Sequence, residues 1–455
     1  MTSAAATLSV PSAEDGPLLV NGTSHISGSI FNDAIVKRNC HLHVRGNVRG
    51  SLTIEPGANV IVEGSVDGKV VNMGGRLVVN NRGIAEFART EGPPEAEAGG
   101  ILRIDLAAIA SNWESLAKRT DAECAAVVKA NAYGCGIDPV TAALNEIGCK
   151  TFFVSDLAEA KRVRAAAAKS IIYVLNGLYA GTGRVFAEID ARPVINNLIE
   201  MAAWDAFVAD SQWPGGFAIN VDTGACRLGL SLDEAAAIAP RVRSSGAKLL
   251  LSRLDNAAQS NHPLNNRQIG NFLDLRRLYG DIPASLADCD GIFVGPKIHY
   301  DLVRAGPALY GANPTPKLKN PMLPVIELQA RIVNVCNFLP GQSLCEAGWT
   351  ARRPTRLAFV PVGYADGFAR SAGPEHNLRA AIGGRMCKVV GRSSMDLLAI
   401  DVTDLSDQRN ARHGEMVTLI GGQIGIDDLA RGANSTAAEV LCNLGRRFHR
   451  VYYAS

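Results

Sequence analysis

AVVKANAYGCG, residues 126–136, sets one lysine at the end of an apolar run and follows it with Asn, Tyr and small residues. Val127 and Val128 read as the end of a buried strand, which places the Lys129 ammonium at the edge of a core. An amine there needs a partner or a lowered pKa. The surroundings of this stretch decide the fold. Buried-looking strands alternate with helical segments through AAVV, TFFVS, IIYVL, PVIN, FAINV, KLLLS, PASLA and ALYG. Eight such strands across about 210 residues predict a parallel (β/α)8 TIM barrel.

Helix signals agree with that alternation. DLAAIASNWESLAKR (105–119) puts Leu106, Ile109, Trp113 and Leu116 on one helical face. Asp156, followed three residues later by Glu159, reads as a helix N-cap. Past residue 325 the pattern turns strand-rich, with VIELQARIVNV, RLAFVPVG, KVVGR, LLAIDVTDL and MVTLIGG separated by Gly-containing turns. This predicts a C-terminal β domain over 326–455, after a barrel over 101–325.

Residues 18–90 have a different texture. NVRG (47–50) and SVDG (65–68) sit 18 residues apart, and HISG (25–28) is a less regular copy. Short β-branched runs lie between them. That period predicts a small parallel β-helix with one coil per repeat, a small β-sandwich being the alternative. The segment resembles the bactofilin-like, polymer-forming β-helices, which implies a scaffold or assembly role. EGPPEAEAGG (91–100) reads as a linker, and residues 1–17 as a disordered N-terminus.

The composition of 47% apolar and 20% charged residues fits a globular soluble protein. Forty-six basic and 44 acidic residues nearly balance, which gives no reason to expect nucleic acid as a partner. The N-terminus lacks the basic and apolar regions of a signal peptide. No run has the length of a membrane span. The ten cysteines show no CxxC pair, so neither a disulfide framework nor a structural zinc site is suggested. A reducing cytoplasm is the expected compartment.

In such a barrel, chemistry sits at the C-terminal ends of the strands, and Lys129 ends the first. A desolvated amine there can form a Schiff base with an aldehyde; a lysine snorkelling to the rim is the alternative. VVKANAYGCG, VDTGACRLG (221–229), VRAGPALYG (303–311), VGYADGF (362–368) and GRSSMDL (391–397) occur in the order and near the spacing of the alanine racemase family, which the chain resembles from Ile101 onward. The resemblance implies pyridoxal 5′-phosphate as cofactor, a small amino-acid substrate with alanine the default, D-alanine for peptidoglycan as product, and a head-to-tail homodimer. It implies that Lys129 holds the cofactor and exchanges the proton on one substrate face. Tyr133 would lie near the phosphate and Gly306 in the turn whose amides approach it. Arg227 would reach the cofactor O3′ and the substrate carboxylate, and Arg304 would face the pyridine nitrogen. Arginine stays protonated, so it leaves that nitrogen unprotonated and the ring a restrained electron sink. Tyr364 and Met395 would reach into the partner's site.

The pattern also departs from the family. In LCEAGWTA (344–351), Cys345 stands where the second base is a tyrosine. An ordinary thiol titrates near about 8.5, closer to neutrality than a phenol at about 10, but it reaches roughly 4 Å less far. Asn220 replaces a lysine that supports the arginine matching Arg227, and Arg253 replaces a histidine over the ring. Asp288 and Cys289 replace an Asn-Ser pair at the phosphate, and Ala438 a phosphate-binding tyrosine. Two other readings stay open: a decarboxylase of the same fold type, suggested by Cys345-Glu346, and a catalytically degenerate dimerising scaffold with a polymerising β-helix.

Overall fold

The computed structural model describes residues 6–7, 17–62, 66, 68, 70–73, 75–79, 87–213, 215–371 and 378–454. The N-terminal expectation over 1–17 falls mainly outside them; within it, Ala6–Thr7 pairs in parallel with Ser24–His25.

The 18-residue period is a stacking distance. Ala34, Leu52 and Val70 are register partners in three successive parallel strands. Thr23, His41 and Asn59 are partners in a second wall. Single bridges join Ile30, Val48 and Val66 on a third side. Alternation turns Val36, Val44, Val48, Ile54, Val60 and Val62 into an apolar interior with no exposure. The repeated glycine follows from the same geometry. A Cβ on Gly50 would lie 2.4 Å from the Asn32 carbonyl carbon, and one on Gly68 would lie 2.5 Å from that of Gly50. Consecutive coils approach there too closely for any side chain.

The segment expected as a linker, 91–100, is turn and loop at 92–99 and joins two paired strands. Phe87–Glu91 runs parallel to the coil strand Val70–Asn72 on one edge and antiparallel to the C-terminal strand His449–Tyr453 on the other. Gly100–Asp105 lies on the far side of His449–Tyr453. One 14-stranded sheet therefore continues from the coil into the C-terminal domain. Gly100–Asp105, expected to begin the barrel, belongs to this sheet through its antiparallel partner Ile326–Arg331.

The barrel has its eight parallel strands in chain order, from Glu123–Val127 round to Ala284–Ser285, with Leu302–Ala305 beside the first. ALYG is not the eighth strand. Pro307–Tyr310 is a 3₁₀ turn, and the strand ends at Ala305 because Pro307 has no N–H to continue a ladder. Tyr310 instead turns inward and donates to the Val127 carbonyl at 3.0 Å. Leu106–Ala117 is capped by Asp105 and Leu157–Ala166 by Asp156, whose carboxylate accepts from the Glu159 amide. The C-terminal domain contains every expected strand, together with Arg379–Ile382, the short hairpin 343–350, and two helices, Ile426–Gly432 and Ala437–Asn443.

Candidate active site at the barrel mouth

Lys129 leaves the first barrel strand into an unusual turn. Ala130, Asn131, Ala132 and Tyr133 have φ of 53°, 55°, 54° and 50°. Four successive L-residues in the left-handed region cost roughly 1–2 kcal/mol each, so neighbouring groups must hold the turn. Glu159 accepts from the Asn131 amide at 3.0 Å and from Ser155 N at 2.9 Å. The Asn131 side-chain oxygen accepts from the Ile137 amide at 3.1 Å and from Arg162 at 2.9 Å. Arg162 is itself held on Asp138.

The Lys129 amine makes no hydrogen bond or ion pair with a described residue. Burial, then the Arg253 and Arg227 guanidinia, hold its pKa below the ordinary lysine range, against smaller opposing effects of Cys442 and Glu159. A larger share of it is neutral, and so nucleophilic or basic, than of a surface lysine.

On the neighbouring strand, Arg304 pairs in register with Ala125. It is 7% exposed and donates to the carbonyls of Ser252 and Leu286. Its Nε is buried without a partner. Burial pulls this guanidinium down to about 10, partly offset by Asp288, which still leaves it charged at neutral pH. An orphaned buried donor calls for an acceptor, and an unprotonated pyridine nitrogen could serve as one. Gly306 follows at once. A Cβ there would lie 3.1 Å from the Tyr133 hydroxyl, so Tyr133 and Gly306 line one small recess. Burial pushes the Tyr133 phenol up, keeping it a neutral donor.

Cys289 faces the same recess, its sulfur accepting from the Ala308 amide at 3.4 Å; burial and the flanking carboxylates push its thiol up. Asp288 accepts from the Gly291 amide at 3.1 Å. Burial and Asp288 raise the neighbouring Asp290 carboxyl to about 7, with Arg253 opposing. The extra acidic charge at this rim is thus partly removed by protonation. Arg253 is exposed and lies 3.7 Å from Asp255.

Arg227 is presented by a loop wound on one carboxylate. Asp222 accepts from the amides of Gly224, Ala225, Cys226 and Arg227 at 2.8–3.1 Å. Desolvation opposes its charge, yet these bonds hold its carboxyl below the ordinary range. Asn220 donates to the Leu228 carbonyl at 3.2 Å and to Asn196 at 2.8 Å, supporting the loop's backbone. Ala438 is half-buried against the main core.

Cys345, Tyr364 and Met395 gather on the C-terminal domain instead. Tyr364 N bonds to Ser394 O and Ala365 N to Met395 O, at 3.0 and 3.1 Å, and Arg392 N reaches Ala347 O in the hairpin beside Cys345 at 2.8 Å. Asp366 and Asp396 are tied by Arg447. Tyr364 and Met395 keep 38% and 52% exposure. Among the described residues, no hydrogen bond or ion pair joins these three to the Lys129 turn of the same chain.

Residues that carried no sequence signal include Asp290, Asp222 and the C-terminal Arg450, which donates to the Gly134 carbonyl at 2.5 Å. Asp222, within VDTGACRLG, and Asp290, next to the Asp288-Cys289 pair, stood in stretches that could have drawn attention to them.

Residues 104–314 match the family model of the alanine racemase N-terminal domain and residues 325–452 that of the C-terminal domain. The coil precedes both matches. An alanine racemase of Methylobacterium sp. (strain 4-46) is 43% identical over 358 residues, covering 78% of this chain and 98% of the relative. A catabolic alanine racemase of Mesorhizobium japonicum is 40% identical over 364 residues, covering 79% and 94%. Among solved structures, alanine racemase from Bartonella henselae with covalently bound pyridoxal phosphate aligns with a TM-score of 0.74 at 32% identity, over 78% of this chain and 99% of that one.

Proposed function

The chain belongs to the alanine racemase family, and from that premise we propose that it interconverts L- and D-alanine with pyridoxal 5′-phosphate held at Lys129. The observation that carries this reading is that two adjacent barrel strands bring to one end a Lys129 amine without a partner among the described residues, just past the end of the first, and on the second the orphaned buried Nε of Arg304. The chemistry supplied by the bound cofactor is acidification of the Cα–H of an attached amino acid.

The chain's own groups then divide the task. Lys129, its pKa held low, takes and returns the Cα proton on one face. Arg304 would offer the ring nitrogen a donor that stays protonated at neutral pH, which would favour quick return of the Cα proton over longer-lived side chemistry. Tyr133, Gly306 and Cys289 line the phosphate recess. Arg227 takes the substrate carboxylate on its amide-braced loop. The exposed cluster of Cys345, Tyr364 and Met395 supports a head-to-tail homodimer in which each subunit completes the other's site, with Cys345 exchanging the proton on the opposite face. We assign the product to D-alanine supply for peptidoglycan. The bactofilin-like coil, residues 18–90, is in this reading an accessory assembly module. Its last strand is already paired with His449–Tyr453, so assembly would proceed from its N-terminal end. Among the described residues no helix is long and apolar enough to cross a membrane.

The test is a purified protein that carries a visible pyridoxal absorbance band and converts L- to D-alanine. Lys129→Ala should remove both. Cys345→Ala should keep the band and slow turnover about 10²-fold or more. A protein that binds the cofactor yet leaves alanine unchanged refutes the activity, and a single dimeric species in sedimentation refutes assembly through the coil.

A further inference from the structure

The Lys129 turn is gripped on its far side by a strand that also carries the N-terminal coil. We infer that Arg450 and Tyr452 are positioning residues for this turn, and that Glu91 of the coil's last strand locks Tyr452 in place. Arg450 is 7% exposed and donates to three carbonyls, Gly134 at 2.5 Å, Leu444 at 2.9 Å and Gly445 at 3.2 Å. Gly134 closes the left-handed turn, its amide bonding back to Ala130 O at 2.9 Å. Arg450 thereby ties the end of the turn to the end of helix Ala437–Asn443.

Tyr452 acts two residues on, on the same face of the strand. Its hydroxyl lies 2.4 Å from where a Cβ on Gly136 would sit, so the phenol packs directly on the backbone that leaves the turn. That hydroxyl donates to Glu91 Oε2 at 3.0 Å. Glu91 is the register partner of Arg450 across the junction. Tyr452 is 1% exposed, and a buried phenol deprived of its acceptor would have to shift or stay unsatisfied. Either response moves the floor under Gly136. Since left-handed residues 130–133 persist only where their surroundings over-determine them, a loosened floor widens the positions open to the Lys129 amine. The coil therefore reaches the active site through three contacts: Glu91 to Tyr452, Tyr452 to Gly136, and Arg450 to Gly134.

The consequence for turnover rests on Lys129 being the functional amine; the consequence for backbone protection does not. Full-length Tyr452→Phe, Glu91→Leu, Glu91→Gln and Arg450→Lys proteins would be compared by hydrogen exchange over residues 129–137 without cofactor, and by kcat, KM and the pH profile of kcat with it. Tyr452→Phe and Glu91→Leu should each raise exchange in that segment about fivefold to tenfold, the ratio a lost buried hydrogen bond gives. They should lower kcat by a similar factor, leave KM nearly unchanged and shift the kcat pH profile. Glu91→Gln, which keeps an acceptor oxygen, should restore wild-type behaviour, and Arg450→Lys should exceed the others in exchange. Unchanged exchange over 129–137 in both Glu91→Leu and Tyr452→Phe overturns the proposal. Should Tyr452→Phe fail to fold, the Glu91→Leu and Glu91→Gln pair decides alone. Raised exchange in a protein without racemase activity supports the clamp and removes only the enzymatic reading.

Discussion

The N-terminal coil and the barrel are both walls of parallel strands, yet they bury opposite kinds of residue. Inside the coil, burial falls on Val20, Val36, Val44, Val48, Ile54 and Val62, stacked on like neighbours at a fixed interval. At the barrel mouth it falls on Arg304 and Cys289, with Asp290 half-buried beside Cys289 and the Lys129 amine without a partner among the described residues. A wall that grows by translation repeats one solution, and each coil satisfies the next. A wall that closes into a ring ends its strands together at one face, where side chains from distant positions converge. The coil has stability spread over interchangeable parts, whereas the mouth carries desolvated charge and backbone strain that the rest of the barrel must support.

Substitutions that exchange the two characters test this contrast. The largest effect is expected at Asp290, whose carboxyl is raised to about 7 by burial and Asp288. A carboxyl with a folded pKa above its unfolded value binds more protons folded than unfolded. Its contribution is therefore fully present below about pH 4, near the unfolded pKa, and is lost as pH rises through about 7. Denaturant unfolding of the cofactor-free protein should show stability falling by a few kcal/mol across that window. Asp290→Asn should flatten the fall. A slope that persists in Asp290→Asn would mean that the mouth does not hold this charge in a desolvated place.

The same contrast explains what could be read from the residue string. The coil was legible because its spacing is written in the letters, as NVRG and SVDG, and because the glycines sit where coils touch. Asp156 with Glu159 was legible as a cap because a cap is local. The eighth strand was misplaced because Leu302–Ala305 is a short run beside the more conspicuous ALYG, which Pro307 turns into a 3₁₀ helix. The junction between Glu91 and Arg450 pairs residues far apart in the chain, and no local pattern encodes it. The left-handed turn was invisible for a different reason. Ala-Asn-Ala-Tyr contains no glycine, and only tertiary contacts impose that conformation. Within the motifs, Lys129 could be picked out by chemistry and Arg304 only through the family resemblance, while nothing local sets Arg450 and Tyr452 apart in HRVYY.

A smaller effect is expected in the coil. Val48 has no exposure and bridges Ile30 and Val66 in the coils on either side. Val48→Ala removes two methyl groups and leaves a gap that stacked neighbours cannot close, costing about 2 kcal/mol. The coil's resistance to limited proteolysis should fall while kcat stays within experimental scatter, because the coil remains folded at assay temperature and the Glu91 contact survives. A large fall in kcat with unaltered proteolysis would break the separation of roles between the two walls.

The smallest effect, at Ala130, separates strain from packing. Ala130 is exposed with φ of 53°, so replacing it removes almost no contact. Glycine there abolishes the left-handed penalty of roughly 1–2 kcal/mol but adds backbone entropy to the unfolded chain worth about 0.5–1 kcal/mol. Ala130→Gly should therefore stabilise the cofactor-free protein by up to about 1 kcal/mol. The same freedom lets the residue beside Lys129 sample conformations from which alanine is barred, so kcat should fall about twofold to threefold while the protein melts slightly higher. Strain at this position would then be the means by which four L-residues keep the amine in one place. A variant that melts lower and turns over at the parental rate would show that the turn is relaxed as it stands, and that the contacts from Glu159, Arg162 and Arg450 hold a conformation needing no restraint.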